Sequence, residues 1–517
     1  MSQSESIDLT ARSRWRNTLL APGIAILLGL VANYLFFDRT PAISVPIFVM
    51  LGLTVLYCLA YYRGVQATRQ NLWLAVGLIF FGVMFAVRAE TFTSFLNLCA
   101  ILLLILLLTH LFTGPGVSEL GLMDYIRSLI VTPVEILLIK PTAALAEIGR
   151  STKGSSSPRF AGILRGLVLA IPILLVFILL FSSADAAFSS LMEDILHELR
   201  LDNIPELVSR LIFSLFIAWC VLGGLSYALR VVVQKESGTP SSLNSPLGIT
   251  EAIVVLVSVN MLFALFVGIQ FRYFFGGQSN IHVAGLTYSE YARRGFAELV
   301  VVTVFSLGLA LLLQWLTKRE TRRSTMTFEG MAGLLIALTG VILFSAFQRL
   351  LLYERAYGFT ELRFFTHVFM GWMGVLLIVF LVSMHFNKHG WFAFGLLLVS
   401  LGFIATLNLL NTDAFIVRQN LTRYEASGDL DAVYLATLSD DAVPALIKAL
   451  DQVGTEEREV LGSGLHFRLN QLENVQEELS WMEWHFSHSR AYLLLQAAKP
   501  DIEQYEPRDY DWEFPLD

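Results

Sequence analysis

Apolar residues fill long stretches of the chain, and polar residues gather between them. A helix needs about 20 apolar residues to cross a bilayer core. Eleven runs approach or reach that length: 18–37, 43–61, 71–87, 92–113, 161–182, 207–229, 249–274, 295–316, 330–350, 364–386 and 391–410. The third is the shortest. The first follows Arg12, Arg14 and Arg16 and lacks the small-residue cleavage site of a signal peptide, so it reads as a retained helix. The pattern predicts an all-α fold, a polytopic membrane helix bundle of about eleven spans.

The interruptions have their own patterns. Pro133 and Pro141 break the stretch 114–160 into short apolar pieces, which read as interfacial or re-entrant helices in an inside loop. Residues 151–158 read as a flexible linker. In 183–206, Phe188, Leu191, Met192, Ile195 and Leu199 form one stripe, as in a helix lying on the membrane surface. Beyond 410 the apolar runs shorten to soluble-helix length. Ser439, Asp440 and Asp441 precede Pro444 in a helix start, and a second helical run covers about 468–498. The chain thus divides into an N-terminal segment 1–17, a helix bundle 18–410 and a small helical domain 411–517.

Composition sharpens this division. Charged residues make up 15% and hydrophobic residues 55%, and mean hydropathy is +0.63. Soluble domains carry about 25% charged residues. A disordered chain, a nucleic-acid binder and a small disulfide scaffold are therefore excluded. The net charge of −7 combines a basic body, +6 over 1–410, with an acidic tail, −13 over 411–517. With the N-terminus cytoplasmic, eighteen Lys and Arg fall inside and ten outside. Eleven spans then place the tail outside. Cys58, Cys99 and Cys220 sit in apolar runs without C-x-x-C spacing and read as small buried residues.

No phosphate loop, dinucleotide fingerprint, zinc-protease, nucleophile-elbow or kinase motif is present. Asp429 and Asp431 form a D-x-D that reads as a solvated loop. His385 with His389, and His485 with His488, have metal-like spacing but no evident third ligand. No cofactor and no metal are expected.

Polar groups concentrate toward the outer ends of the later spans: Gln270, Arg272, Glu298, Gln348, Arg349, His367, Asn408 and Asn411, with Asn260 deeper. Thr287 to Glu290 spell a capping box, with Leu286 and Tyr291 as its hydrophobic staple. From there Glu290, Arg294 and Glu298 share a helix face, with Arg293 beside them. Arg349, Tyr353 and Tyr357 repeat the spacing, with Glu354 and Arg355 between them. Gly358 suits a helix C-terminus, Thr360 an N-cap and Glu361 a first turn, with Arg363 following. Asp413 opens the tail within reach of this rim, where Arg partners are expected for it. Tyr and Arg at helix ends are also what an aromatic belt and snorkelling side chains require. Ionisable groups at membrane depth point instead to a site.

Three blocks carry a family resemblance: Thr287 to Phe296, Arg349 to Arg363, and Asn411 to Asn420 followed by Tyr434 to Leu446. They resemble a family of bacterial multi-pass membrane proteins known only as a domain of unknown function, over about 160–495. The resemblance implies a bacterial cytoplasmic membrane location and assigns no activity or residue role.

The expected function is an integral membrane protein with an outer-face site for an anionic ligand or an envelope protein partner, in transport, sensing or envelope assembly. The lipid bilayer is its other partner, and nucleic acid is not one. The alternative is a membrane enzyme acting on a lipid-linked or phosphate-bearing envelope substrate, with Arg forks on phosphate and Glu298 or Glu361 as base.

Overall fold

The computed structural model describes residues 3–151, Phe181, Asp185, Phe188, 204–229, 247–275, 296–318, 321–386, 389–476 and 480–510. Among these the chain is helical, with one isolated bridge between Leu247 and Thr317. The elements are α1 Gln3–Phe36, α2 Ser44–Arg63, α3 Leu72–Phe85, α4 Thr91–Leu111, α5 Leu122–Val134, a π-helical turn Glu135–Ile139, α6 Lys140–Ser151, α7 Ile204–Ala228, α8 Ile249–Phe275, α9 Phe296–Leu316, α10 Arg322–Tyr357, α11 Glu361–His385 and α12 His389–Leu410. The tail adds α13 Thr412–Ser427, α14 Ala432–Thr437, α15 Val443–Ala449, α16 Thr455–Gln476, α17 Phe486–Ala497 and α18 Lys499–Ile502.

Nine helices among the described residues are long and apolar enough to cross a membrane, and 20–36 and 69–85 are shorter apolar helices. The protein is an all-α, multi-pass membrane protein. Ten of the eleven expected runs coincide with these helices, and 161–182 lies, apart from Phe181, outside the described residues. The stretch expected to break into interfacial pieces is instead one helical path. Leu122–Leu145 qualifies by length and composition. Its continuity depends on the π turn, which absorbs the two prolines without ending the helix. The surface stripe of 183–206 also lies almost wholly outside the described residues.

Contacts divide the chain into two compact units. One comprises 1–79, 103–115 and 126–232. In it Pro141 has no N–H to offer the Leu137 carbonyl four residues back. The Trp219 indole of α7 donates to that carbonyl at 2.7 Å. Thr142 Oγ1 bonds the Leu138 and Ile139 carbonyls of the same turn. Gly223 sits where the Ile136 carbonyl presses on α7, and a Cβ there would collide with that oxygen. α7 runs continuously through Gly223 and Gly224, and Gly223 serves the close approach. Asn71 and Thr68 close the C-terminal end of α4, bonding the carbonyls of Leu111, Pro115 and Gly114.

The other unit comprises 80–102, 116–125 and 233–517. Its membrane core packs α8 to α12 around Leu256, Phe328, Leu335, Ala346, Leu350 and Phe380. A second core joins the tail helices through Ile416, Val417, Leu435, Val443, Leu465, Leu469 and Leu495. Phe364 of α11 and Leu407 of α12 belong to this second core, so the tail packs directly on the helix ends. The expected helical run 468–498 is two elements, α16 and α17, with a short 3-10 turn Trp481–Glu483 before α17. Cys58 and Cys99 are exposed on apolar helices and Cys220 is half-buried, which corrects the expectation of burial: apolar side chains here can face lipid.

Candidate functional site

Helix ends carry unpaired backbone groups that side chains must satisfy. In the second unit these demands build a polar site where α4, α11 and α12 meet α13 and the turn before α15. Glu90 caps α4, accepting from the N–H groups of Phe92 and Thr93, both at 2.6 Å. Within the bundle, Asn97 of α4 and Asn408 of α12 exchange amide hydrogen bonds of 3.0 and 2.7 Å and are fully buried. Arg88 donates to the Asn408 carbonyl at 2.7 Å and to Asp441 at 3.3 Å.

Asp441 also accepts from the Ala89 N–H at 2.8 Å and from the Ser487 hydroxyl. It is a buried carboxylate with both oxygens satisfied. Asn411 caps α13 in the left-handed region, φ 51°, a conformation that asparagine tolerates. That turn drives Asp413 inward, where it is completely buried.

Asp413 is the unusual group. One oxygen accepts from the Ser439 N–H at 3.0 Å and from the Ser439 hydroxyl. The other receives no N–H or O–H donor. The Glu361 carboxyl lies close enough to interact electrostatically with that of Asp413. Two neighbouring buried carboxylates repel, which favours a proton on one of them. Burial pushes Asp413 up to about 6; its Ser439 bonds oppose the shift, and the charges of Asp441 and Glu90 add to it. Tyr434 closes the site: its hydroxyl accepts the Glu361 N–H at 2.8 Å, and burial with the Glu361 charge holds its own pKa far above the usual phenol value.

Beyond this pair the tail continues the polar layer. Asp440 holds His488 and Arg468. His485 bonds the Arg88 carbonyl at 3.2 Å, and burial and the facing His488 lower it to about 4. No group of three or more metal-ligating side chains occurs among the described residues.

The expected site residues separate into distinct roles. Glu361 and Asp413 meet. Arg363 lies over the Tyr353 ring, bonds its hydroxyl at 3.1 Å and bonds the carbonyls of Tyr357 and Gly358. Tyr353 and Tyr357 pack edge to face. Arg349 donates to Gln270 inside the bundle. Glu354 is fully buried against His367 at 2.9 Å. Arg355 and Glu298 are exposed. Glu298 therefore does not turn into the bundle, and Glu290, Tyr291, Arg293 and Arg294 lie outside the described residues. Asp413 takes Ser439 and Glu361 in place of the expected Arg partners, because its cap places it under the Ser439 turn.

Sequence reasoning missed Arg88, Glu90, Asn97, Ser439, Asp440 and Asp441 as parts of the site. Pairing across more than 300 residues leaves no spacing signal. Asn97 in an apolar run was the one available sign. Asp431 caps α14 and Asp429 takes Arg423, so the D-x-D residues are structural.

No curated protein and no solved structure matches this chain. One family model matches residues 75–449, beginning well before the expected resemblance and ending before the last tail helices. The chain belongs to that family, Domain of unknown function (DUF4153).

Proposed function

We propose that the protein is a proton-responsive membrane protein acting in transport or sensing. Protonation of the Asp413–Glu361 pair sets how firmly the tail holds the ends of α4, α11 and α12. The single observation that carries this is the fully buried carboxyl of Asp413 interacting with that of Glu361, with no cation bonded to it among the described residues. Every other carboxylate of the layer is neutralised: Asp441 by Arg88, Asp440 by Arg468 and His488, Glu90 by the α4 N-terminus. A proton is the ligand such an arrangement favours. An anionic ligand finds little support, since Arg88 and Arg363 are spent on internal acceptors. The enzyme reading loses its phosphate forks for the same reason.

The proposed orientation keeps the N-terminus cytoplasmic and the tail outside, in the cell membrane. Counting Leu122–Leu145 as a twelfth crossing would divide Lys and Arg fourteen to fourteen, which removes the inside bias. Asp124, Arg127, Glu135 and Lys140 on that segment suit an interfacial position.

The test uses purified protein in liposomes. Trp484 adjoins His485, so tryptophan emission reports on this layer. Emission should titrate with a midpoint near 6, lost in Asp413→Asn and Glu361→Gln, and a second midpoint near 4 from His485 should remain. A membrane potential that drives proton flux lost in both variants identifies transport, and no flux identifies sensing. Loss of neither midpoint in either variant would overturn the proposal.

A further inference from the structure

A second buried carboxylate remains outside the proton-bearing pair. Glu354 ends α10 and is fully buried. One of its oxygens takes His367 Nδ1 at 2.9 Å, and Oε2 receives no hydrogen bond from any described group. A carboxylate only accepts, so His367 donates from Nδ1, and in the neutral ring Nε2 then keeps its lone pair. Both groups line a cavity of about 310 Å³ with Leu351, Phe359, Phe364, Val368, Phe415 and Gln419. Among the described residues no Lys or Arg lines it. Its polar end holds the unpartnered Glu354 Oε2, which calls for a donor, and its walls hold three phenyl rings that attract a cation. Leaving a buried carboxylate oxygen unpaired is costly, so an occupant with an N–H donor is favoured over a purely apolar one.

We propose that this cavity binds a primary ammonium group carried on a small apolar body, with the ammonium at the Glu354–His367 end and the body against Phe359, Phe364 and Phe415. The ammonium could come from a free amine or from an ethanolamine lipid headgroup, since α10 ends here at the membrane boundary. The cavity holds roughly a one-ring amine. The absence of a lining cation leaves nothing to take a headgroup phosphate inside it. This site does not rest on the proton-bearing pair and can fail or stand without it.

The experiment is calorimetric titration of the full chain in lipid nanodiscs with phenethylamine, and with 2-phenylethanol as the uncharged control. Saturable amine binding is expected, with the alcohol at least about tenfold weaker, as the loss of one charge-assisted hydrogen bond requires. Glu354→Gln should weaken the amine by a similar factor. Leu351→Trp fills the cavity without touching the acid–histidine pair and should abolish binding while the protein stays folded by thermal unfolding. Nanodiscs of phosphatidylglycerol alone are compared with discs containing phosphatidylethanolamine. Weaker apparent affinity in the second assigns the site to a headgroup, and equal affinity assigns it to a free amine. No saturable binding in either disc, equal affinity for amine and alcohol, or full binding by folded Leu351→Trp would overturn the proposal.

Discussion

Asp413 and His485 oppose each other across the same pH range. Asp413 is raised from 3.8 to about 6, so the folded state holds its proton longer than the unfolded chain does. Its contribution is full below the unfolded value and is lost as pH rises through about 6. His485 is lowered from 6.5 to about 4, so its contribution is present above 6.5 and is lost as pH falls through about 4. Each is worth roughly 3 kcal/mol at the limit. The groups facing Asp413 are Glu361, Glu90, Asp441, Tyr434 and Ser439, and those facing His485 are His488 and Asp441. The contributions of Asp413 and His485 should therefore largely cancel between pH 4 and 6.5. Asp413→Asn should lose stability on acidification through that window, and His485→Gln should lose it on alkalinisation. Equal slopes in the two variants would contradict the assignment.

Gly358 shows how a sequence reading succeeds at this scale. A glycine after a helical run is a C-cap signal, and it caps α10 at φ 79°. The reason for glycine was not legible: Asn420 brackets the Phe359 backbone with two bonds of 2.9 Å, and a Cβ at 358 would strike its Oδ1. Gly358→Ala should cost roughly 1–3 kcal/mol and lower the unfolding temperature. An unchanged temperature would mean that the bracket yields easily. Glu361 and Asp413 were likewise singled out, but as rim charges awaiting arginine. Only the left-handed turn at Asn411 reveals that Asp413 points inward.

At the level of elements, apolar run length located the membrane helices well, because hydrocarbon thickness fixes that length. Proline was the misleading signal. Pro133 and Pro141 suggested breaks, but a π turn and the Trp219 indole keep the path helical. Trp219→Phe should destabilise by about 1–3 kcal/mol, since it orphans the Leu137 carbonyl. Adding Pro141→Ala restores a local N–H, so the same Trp219→Phe change should then cost measurably less. An additive double-mutant cycle would exclude this coupling. The placement of Leu122–Leu145 is decided by labelling. In a Cys-free chain, single cysteines at Met123 and Leu145 should both react with an impermeant reagent from the cytoplasmic side only. Labelling from opposite sides would make the segment a crossing and move the tail to the cytoplasm.

For the molecule as a whole, the sequence foretold a basic helix bundle and an acidic helical tail, because composition changes sharply near residue 410. It did not foretell that the tail shares a core with α11 and α12 or that residues 88–97 complete the site, since those contacts join segments over 300 residues apart. The central claim is that the Glu361–Asp413 pair holds a proton. Infrared difference spectroscopy of the full protein in lipid, in water and heavy water, reads this directly. At pH 5, below the Asp413 midpoint, the wild type should show the carbonyl stretch of a protonated carboxyl, sensitive to deuteration and lost or shifted in both Glu361→Gln and Asp413→Asn. Identical spectra for wild type and both variants in that region would contradict the account.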